Sequence, residues 1–158
     1  MKTASIKQLK DELKHRSPEE YMELVLRLSR FKKENKELLT YLLFEAHDEA
    51  TFIEGVKQEM DEDFEQINTA SPFYIKKSLR KIIRKIRKYS RYSNHKETEV
   101  ELMIYFARQL KDMKPDIMQY PNLLKIYQQQ VIGIKNKLPK LHEDLQYDFQ
   151  VELEDLKG

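Results

Sequence analysis

FYIKKSLRKIIRKIRKYSRY, residues 73 to 92, decides how the rest of the chain is read. Taken as a helix at about 100° per residue, it lays Ile75, Leu79, Ile82, Ile83, Ile86 and Tyr89 along one stripe. Lys76, Lys77, Arg80, Lys81, Arg84, Lys85, Arg87, Lys88 and Arg91 fall on the opposite half. No Asp or Glu relieves them between Glu65 and Glu97. The stretch is expected to form a basic amphipathic helix whose apolar stripe faces a core.

Upstream, Asn68 to Pro72 reads as a turn, with Ser71 capping the basic helix and Pro72 at its first position. Before it, Asp48 or a neighbour caps a helix to about Ile67, with Phe52, Ile53, Val56, Met60, Phe64 and Ile67 inward. The outer face is acidic, with Glu49, Glu54, Glu59, Asp61, Glu62, Asp63 and Glu65 against Lys57 alone. Leu38-Leu39-Thr40-Tyr41-Leu42-Leu43-Phe44 is apolar nearly all round, as in a helix surrounded by others, so residues 38 to 46 are expected at the centre of the core. Ser17-Pro18-Glu19-Glu20 marks a stop and restart, with Ser17 as N-cap and Glu20 closing a capping box. The helix it begins carries Tyr21, Leu24, Val25, Leu28 and Phe31 on one face, and a short helix before it carries Ile6, Leu9 and Leu13.

Downstream, Ser93-Asn94 is a break, and a helix from about Lys96 to Met113 turns Val100, Met103, Ile104, Ala107 and Leu110 inward. Pro115 and Pro121 bracket a loop. Leu124, Tyr127, Val131, Ile134 and Leu138 mark the next helix, and Pro139 punctuates again. The last segment sets Leu141, Leu145, Phe149, Leu153 and Leu156 apart from Glu143, Asp144, Asp148, Glu152, Glu154 and Asp155. The fold class is therefore all-α: one domain, residues 1 to 158, of about seven or eight antiparallel helices in a bundle, with an α-α superhelical stack as the alternative. KENKELLTYLLFEA (residues 33 to 46) and KETEVELMIYFARQ (residues 96 to 109) share a charged start and an apolar middle, which any two core helices share, so they are not read as a repeat.

Composition agrees. Three glycines and five prolines in 158 residues favour long helices over tight turns, and 40% hydrophobic with 35% charged residues describes a folding chain with a heavily charged surface. A net charge of +2 is small, so the interest lies in how charge is segregated. The absence of cysteine excludes disulfides, thiol catalysis and thiolate metal sites, and suits a reducing compartment. MKTASIKQLKDELKHR lacks the apolar core of a secretory signal, and no apolar run reaches a membrane span, so a cytoplasmic protein is expected.

Little chemistry is encoded. Gly55, Gly133 and Gly158 stand apart, so no phosphate cradle, dinucleotide fingerprint or Gly-x-Ser-x-Gly elbow exists. Glu12-Leu13-Lys14-His15 is the sole Glu-x-x-His, His95 and Glu99 share a helical spacing, and His142-Glu143-Asp144 lacks the second histidine of a zinc-protease motif. No metal site, cofactor or catalytic residue is predicted.

The function is not encoded in a motif. The preferred expectation is a non-catalytic protein-interaction or scaffold domain, its basic helix offered to an acidic protein. Nucleic-acid binding, RNA or DNA, through residues 73 to 92 is the alternative, with the nine cations on phosphates and Tyr74, Tyr89 or Tyr92 stacking on bases. An unrecognised enzyme ranks third and an anionic lipid surface last. Against all of these stands internal neutralisation of the cations, by the acidic helix ending near Ile67 and by the acidic C-terminal segment. KELLTYLLFEA (residues 36 to 46) and KLHEDLQYD (residues 140 to 148) resemble segments of small all-helical bacterial proteins of uncharacterised function. That resemblance implies an all-helical bacterial cytoplasmic protein and carries over no catalytic or binding residue.

Overall fold

Five of the eight helices in this chain begin where a side chain accepts from otherwise unpaired backbone N–H groups. In the computed structural model, which describes residues 1–158, the Ser17 hydroxyl accepts from the Glu20 N–H at 3.2 Å, with Pro18 in the first turn. The predicted capping box at Glu20 does not close. Its carboxylate turns to the Arg16 guanidinium at 3.2 Å, and the box forms instead at Ser5, reciprocally with Gln8. Asp48 accepts from the Thr51 N–H at 3.1 Å and Ser71 from that of Tyr74 at 3.4 Å.

The chain is all-α, with helices α1 (Ile6–Leu13), α2 (Pro18–Phe31), α3 (Lys33–Thr40), α4 (Glu49–Glu65), α5 (Pro72–Ser93), α6 (Lys96–Asp112), α7 (Pro121–Lys137) and α8 (Glu143–Lys157). No helix is long and apolar enough to cross a membrane. It divides into two compact units, Met1–Phe44 and Glu45–Gly158, where the sequence reads as one domain.

In the first unit α2 and α3 pack as a hairpin, tied where the Asn35 amide donates to the Leu28 carbonyl at 2.7 Å. The Tyr21 hydroxyl reaches back to the Leu13 carbonyl at the end of α1. None of the three helices buries an apolar side chain, and Ser29 is their one buried residue. Tyr41 is buried at the start of a π turn, Tyr41–Glu45, that continues α3. Leu42, Leu43 and Phe44, expected at the centre of the core, are exposed, as are Tyr21, Leu24, Val25, Leu28 and Phe31. The physical reason is the number of neighbours: a helix paired with one other covers a single line along its surface, so an all-round apolar segment keeps its remaining faces bare.

The second unit holds the core. Helix α6 packs against α4, α5, α7 and α8, and buries Val100, Leu102, Ile104, Phe106, Ala107 and Leu110. The central element is therefore α6, and four helices around one make a closed bundle where a superhelical stack was the alternative. Side-chain pairs fix the directions. Lys85 of α5 meets Asp63 and Glu59 of α4, and Glu99 of α6 meets Lys137 of α7, so successive helices are antiparallel. Asp61 with Tyr105 and Arg108 with Glu152 set α4 and α8 parallel to α6. Tyr127 of α7 donates its hydroxyl to the Leu156 carbonyl at 2.6 Å, closing the far end.

Candidate nucleic-acid interface

Helix α5 runs 22 residues, about 33 Å at 1.5 Å per residue. It stops at Asn94, whose φ of 58° provides the left-handed turn that ends many helices. Ile75, Leu79, Ile82 and Ile86 are buried against the bundle as the stripe predicts, with Ser90 and Ser93 continuing it. Ile83 and Tyr89 are only half-buried. Cations four apart repel by a few tenths of a kcal/mol per pair, whereas each buried aliphatic side chain contributes roughly 1.5–3 kcal/mol. The stripe outweighs the repulsion, and the cations need not be neutralised for the helix to hold.

Most of them are not. Lys85 has acidic partners in α4, Asp63 and Glu59, the latter at 3.4 Å. Burial works against its charge, but the Asp63 and Glu59 carboxylates outweigh it and hold its pKa above the ordinary lysine range. The Lys88 ammonium lies 5.1 Å from the Tyr89 ring centre. Lys76, Lys77, Arg80, Lys81, Arg84, Arg87 and Arg91 make no ion pair within the chain.

The acids expected to cover them are engaged elsewhere. The predicted outer acidic face of α4 is in good part an interface. Glu49 accepts from Ser93 and, at 2.7 Å, from Thr98. Glu59 accepts from the Tyr89 hydroxyl at 3.0 Å, and Asp61 from Tyr105 at 2.8 Å and Gln109 at 2.7 Å. Burial, with the Asp61 bond added, pushes the Tyr105 hydroxyl up. The carboxylates of α8 pair with no cation of α5: Glu152 binds Arg108 at 2.8 Å and Glu154 binds Lys157 at 3.1 Å. Internal neutralisation of the basic helix thus fails for the C-terminal segment and succeeds, from α4, at Lys85.

Angular position sorts the cations further. At 100° per residue Arg80, Arg84, Arg87 and Arg91 fall within about 60° of arc, while Lys81, Lys85 and Lys88 lie around the helix towards α4. The arginine edge overhangs a cleft of about 720 Å3 between α5, α6 and α7. Arg80, Arg84 and Arg87 line one side, and Gln129 and Lys137 the other, with the Lys137 ammonium held by Glu99 at 2.9 Å. Ile83, Ile86, Met103, Ile126 and Gln130 complete the wall. Gly133 lets α6 come close, since a Cβ there would stand 2.9 Å from the Met103 methyl. Arg80 and Arg84 also border a shallower groove with Phe73, Lys76 and Lys77, so the two depressions form one track along α5. At its outer end Phe73 is 70% exposed and packs edge-on against the exposed Tyr74 ring.

Nothing in the sequence marked Gln130, Gln129 or Lys137 as belonging with the basic helix. The inward positions predicted for α7 included Leu124 and Val131, which are half-buried, whereas the buried line runs through Leu123, Ile126, Tyr127, Gln130 and Ile134. A glutamine three after one inward residue and four before the next was the available signal. His95 and Glu99 do not converge: His95 Nδ1 lies 3.0 Å from the Ser93 hydroxyl and 3.5 Å from Glu49, and Glu99 faces Lys137. No three His, Asp or Glu side chains come together at metal-binding distances. Compared with protein-family models, curated proteins and solved structures, the chain matches none of them.

Proposed function

We propose that this is a non-catalytic binding protein whose second unit engages nucleic acid along α5. The observation that carries this is the unpaired state of seven of the nine cations, on a helix whose acidic neighbours bind elsewhere. An acidic protein is the weaker partner for this face. Stable protein interfaces have an apolar, aromatic-rich centre ringed by polar groups, whereas here the exposed aromatics, Phe73 and Tyr74, sit at one end and every exposed residue of α5 beyond them is a cation. Nucleic-acid interfaces are more polar and much more positively charged. Arginine suits phosphate, because its planar fork donates two parallel bonds. Of the tyrosines expected to stack, Tyr89 is bonded to Glu59 and the half-buried Tyr92 ring packs on Tyr89 at 6.0 Å, so the exposed Tyr74, with Phe73, is the better placed for that role. A cytoplasmic site of action fits the cysteine-free composition, and a bacterial one the resemblance at residues 36 to 46 and 140 to 148.

Titration of fluorescent RNA and DNA across a salt series tests this. With all seven free cations on phosphates, log K for a single strand falls by roughly 5 per decade of salt. Changing Arg80, Arg84, Arg87 and Arg91 together to Gln lowers that slope by about 3. Absence of binding by the unaltered protein at low salt removes the proposal.

A second reading is carried by the first unit, where Leu28, Phe31, Leu42, Leu43 and Phe44 lie bare. Leu42, Leu43 and Phe44 are consecutive and all exposed, and a contiguous apolar patch marks a protein-interaction surface, which supports the scaffold role for that unit. Light scattering that gives a monomer, together with unchanged solubility when Leu42, Leu43 and Phe44 become Ser, counts against it.

A further inference from the structure

A mostly covered glutamine keeps its amide where water or a ligand can reach it, since an amide sealed without a partner costs about 1–3 kcal/mol. Gln130 is 8% exposed, makes no hydrogen bond within the chain, and lines the cleft between α5, α6 and α7. The amide is not among the sealed polar atoms of the chain, so it reaches solvent, and the cleft is the opening that the residue lines. Beside Gln130 in the wall are the apolar, polarizable Ile83, Ile126 and Met103, with the Glu99–Lys137 pair farther along and the exposed Arg84 and Arg87 on the α5 side. The volume of about 720 Å3 falls within the range of small-molecule sites.

We propose that this cleft receives one unpaired base of a bound single strand. The inference rests on the reading of α5 as a nucleic-acid surface and deepens it. The chemistry matches part by part. A base offers a flat apolar body for Ile83, Ile126 and Met103, and methionine sulfur packs well against aromatic rings. Its edge carries both donors and acceptors, and a primary amide is both donor and acceptor, so Gln130 pairs with it in a way a hydrocarbon could not. The phosphate of the same nucleotide then meets Arg84 or Arg87, while neighbouring phosphates follow the track past Arg80 to Lys76 and Lys77. A long-chain carboxylate would satisfy the arginines and leave Gln130 unpaired. A duplex keeps its bases stacked and can use the cationic face but not the cleft.

The experiment compares a labelled oligodeoxythymidine of about 15 nucleotides, near the upper end of single-strand site sizes, with the same strand annealed to its complement, at one salt concentration. Seating a base contributes the equivalent of stacking one, so the single strand binds about tenfold more tightly than the duplex. Gln130→Leu lowers that preference severalfold, since the contacts of Ile83, Ile126 and Met103 with the ring remain, and leaves duplex affinity unchanged. A second readout needs no variant: on the full chain labelled at methionine methyl groups, the Met103 signal moves on adding the single strand and stays in place with the duplex or with polyglutamate. Equal affinity for the two forms with a stationary Met103 signal overturns the cleft assignment and leaves the α5 surface standing. A Met103 shift of the same size with polyglutamate overturns it too. Failure of both oligonucleotides to bind overturns both proposals.

Discussion

Residues 33 to 46 and 96 to 109 begin alike, Lys-Glu followed by a polar turn and an apolar run, and they end in opposite surroundings. Phe106 is 0% exposed at the centre of the second unit, and Phe44 is 67% exposed in the first. The difference lies in what each run has for neighbours. Around residues 96 to 109 stand four helices of 15 to 22 residues, each with an apolar line of its own to lay against α6. Within its own unit α3, 8 residues long, has α2. An apolar run states a need for cover, and only the number and length of the helices around it decide whether the need is met.

The widest separation of the two regions comes from cutting between them. The fragment 45–158 holds a closed bundle and unfolds cooperatively in urea. The fragment 1–44, without a buried apolar side chain in α1, α2 or α3, shows no cooperative transition, since chains of about 40 residues seldom fold without staples or partners. A sharp transition for 1–44 at low concentration would break the comparison outright.

Within the full chain, Phe106→Ala removes a side chain from the densest part of the bundle and costs about 3–5 kcal/mol. Phe44→Ala stays within about 0.5 kcal/mol, as surface substitutions do. Denaturant midpoints read both. A cost for Phe44→Ala near that of Phe106→Ala would mean that the first unit is covered in solution after all.

The polar contacts sharpen the contrast on a smaller scale. Asp61 accepts from both Tyr105 and Gln109 between α4 and α6. Asp61→Ala leaves those two half-buried donors without their acceptor, at a cost of about 1 kcal/mol. Glu34→Ala, on the exposed first turn of α3, is expected to change nothing measurable. Equal effects from the two would make the α4–α6 bonds surface ornaments.

How much of this was legible follows the same physical line. Helix starts were readable because a cap is a local event among a few neighbouring residues, and Ser17, Asp48 and Ser71 each supply it. The stripe of α5 and its nine cations were readable because angular position along one helix is a property of that helix alone. Which run lies at the centre was not, because residues 38 to 46 and 100 to 107 satisfy the same local criterion and the choice depends on packing across the chain. The cleft was not either. Arg84, Met103 and Gln130 come from three helices, and no periodicity within one segment announces a cavity between several. The acids of α4 do not share one outer face: Glu59 and Asp63 turn to α5 and Asp61 to α6. A carboxylate that accepts from a tyrosine on another helix looks in sequence like one facing water.

The smallest effect is also the one that separates the units by titration alone. Lys57 and Lys85 lie in the second unit, where burial opposes their charge and is outweighed by the Glu101 and Glu54 carboxylates for Lys57 and by Asp63 and Glu59 for Lys85, so both pKa values sit above the ordinary range. The Tyr105 and Tyr127 hydroxyls are raised as well, by burial first and then by Asp61 and Asp112. All four groups hold a proton more tightly folded than unfolded. Their contribution is therefore fully present below the unfolded values, about 10 for tyrosine and 10.4 for lysine, and is lost as pH rises through the folded ones. Denaturant stability of the 45–158 fragment is expected to be insensitive to these four groups across the neutral range and to fall above about pH 10. In the full chain, the tyrosinate absorbance lost on Tyr127→Phe is expected in the part of the titration above the ordinary tyrosine range, since burial pushes that hydroxyl up, and its loss within the ordinary range would show that the bundle does not hold Tyr127 as tightly as its bond to Leu156 implies.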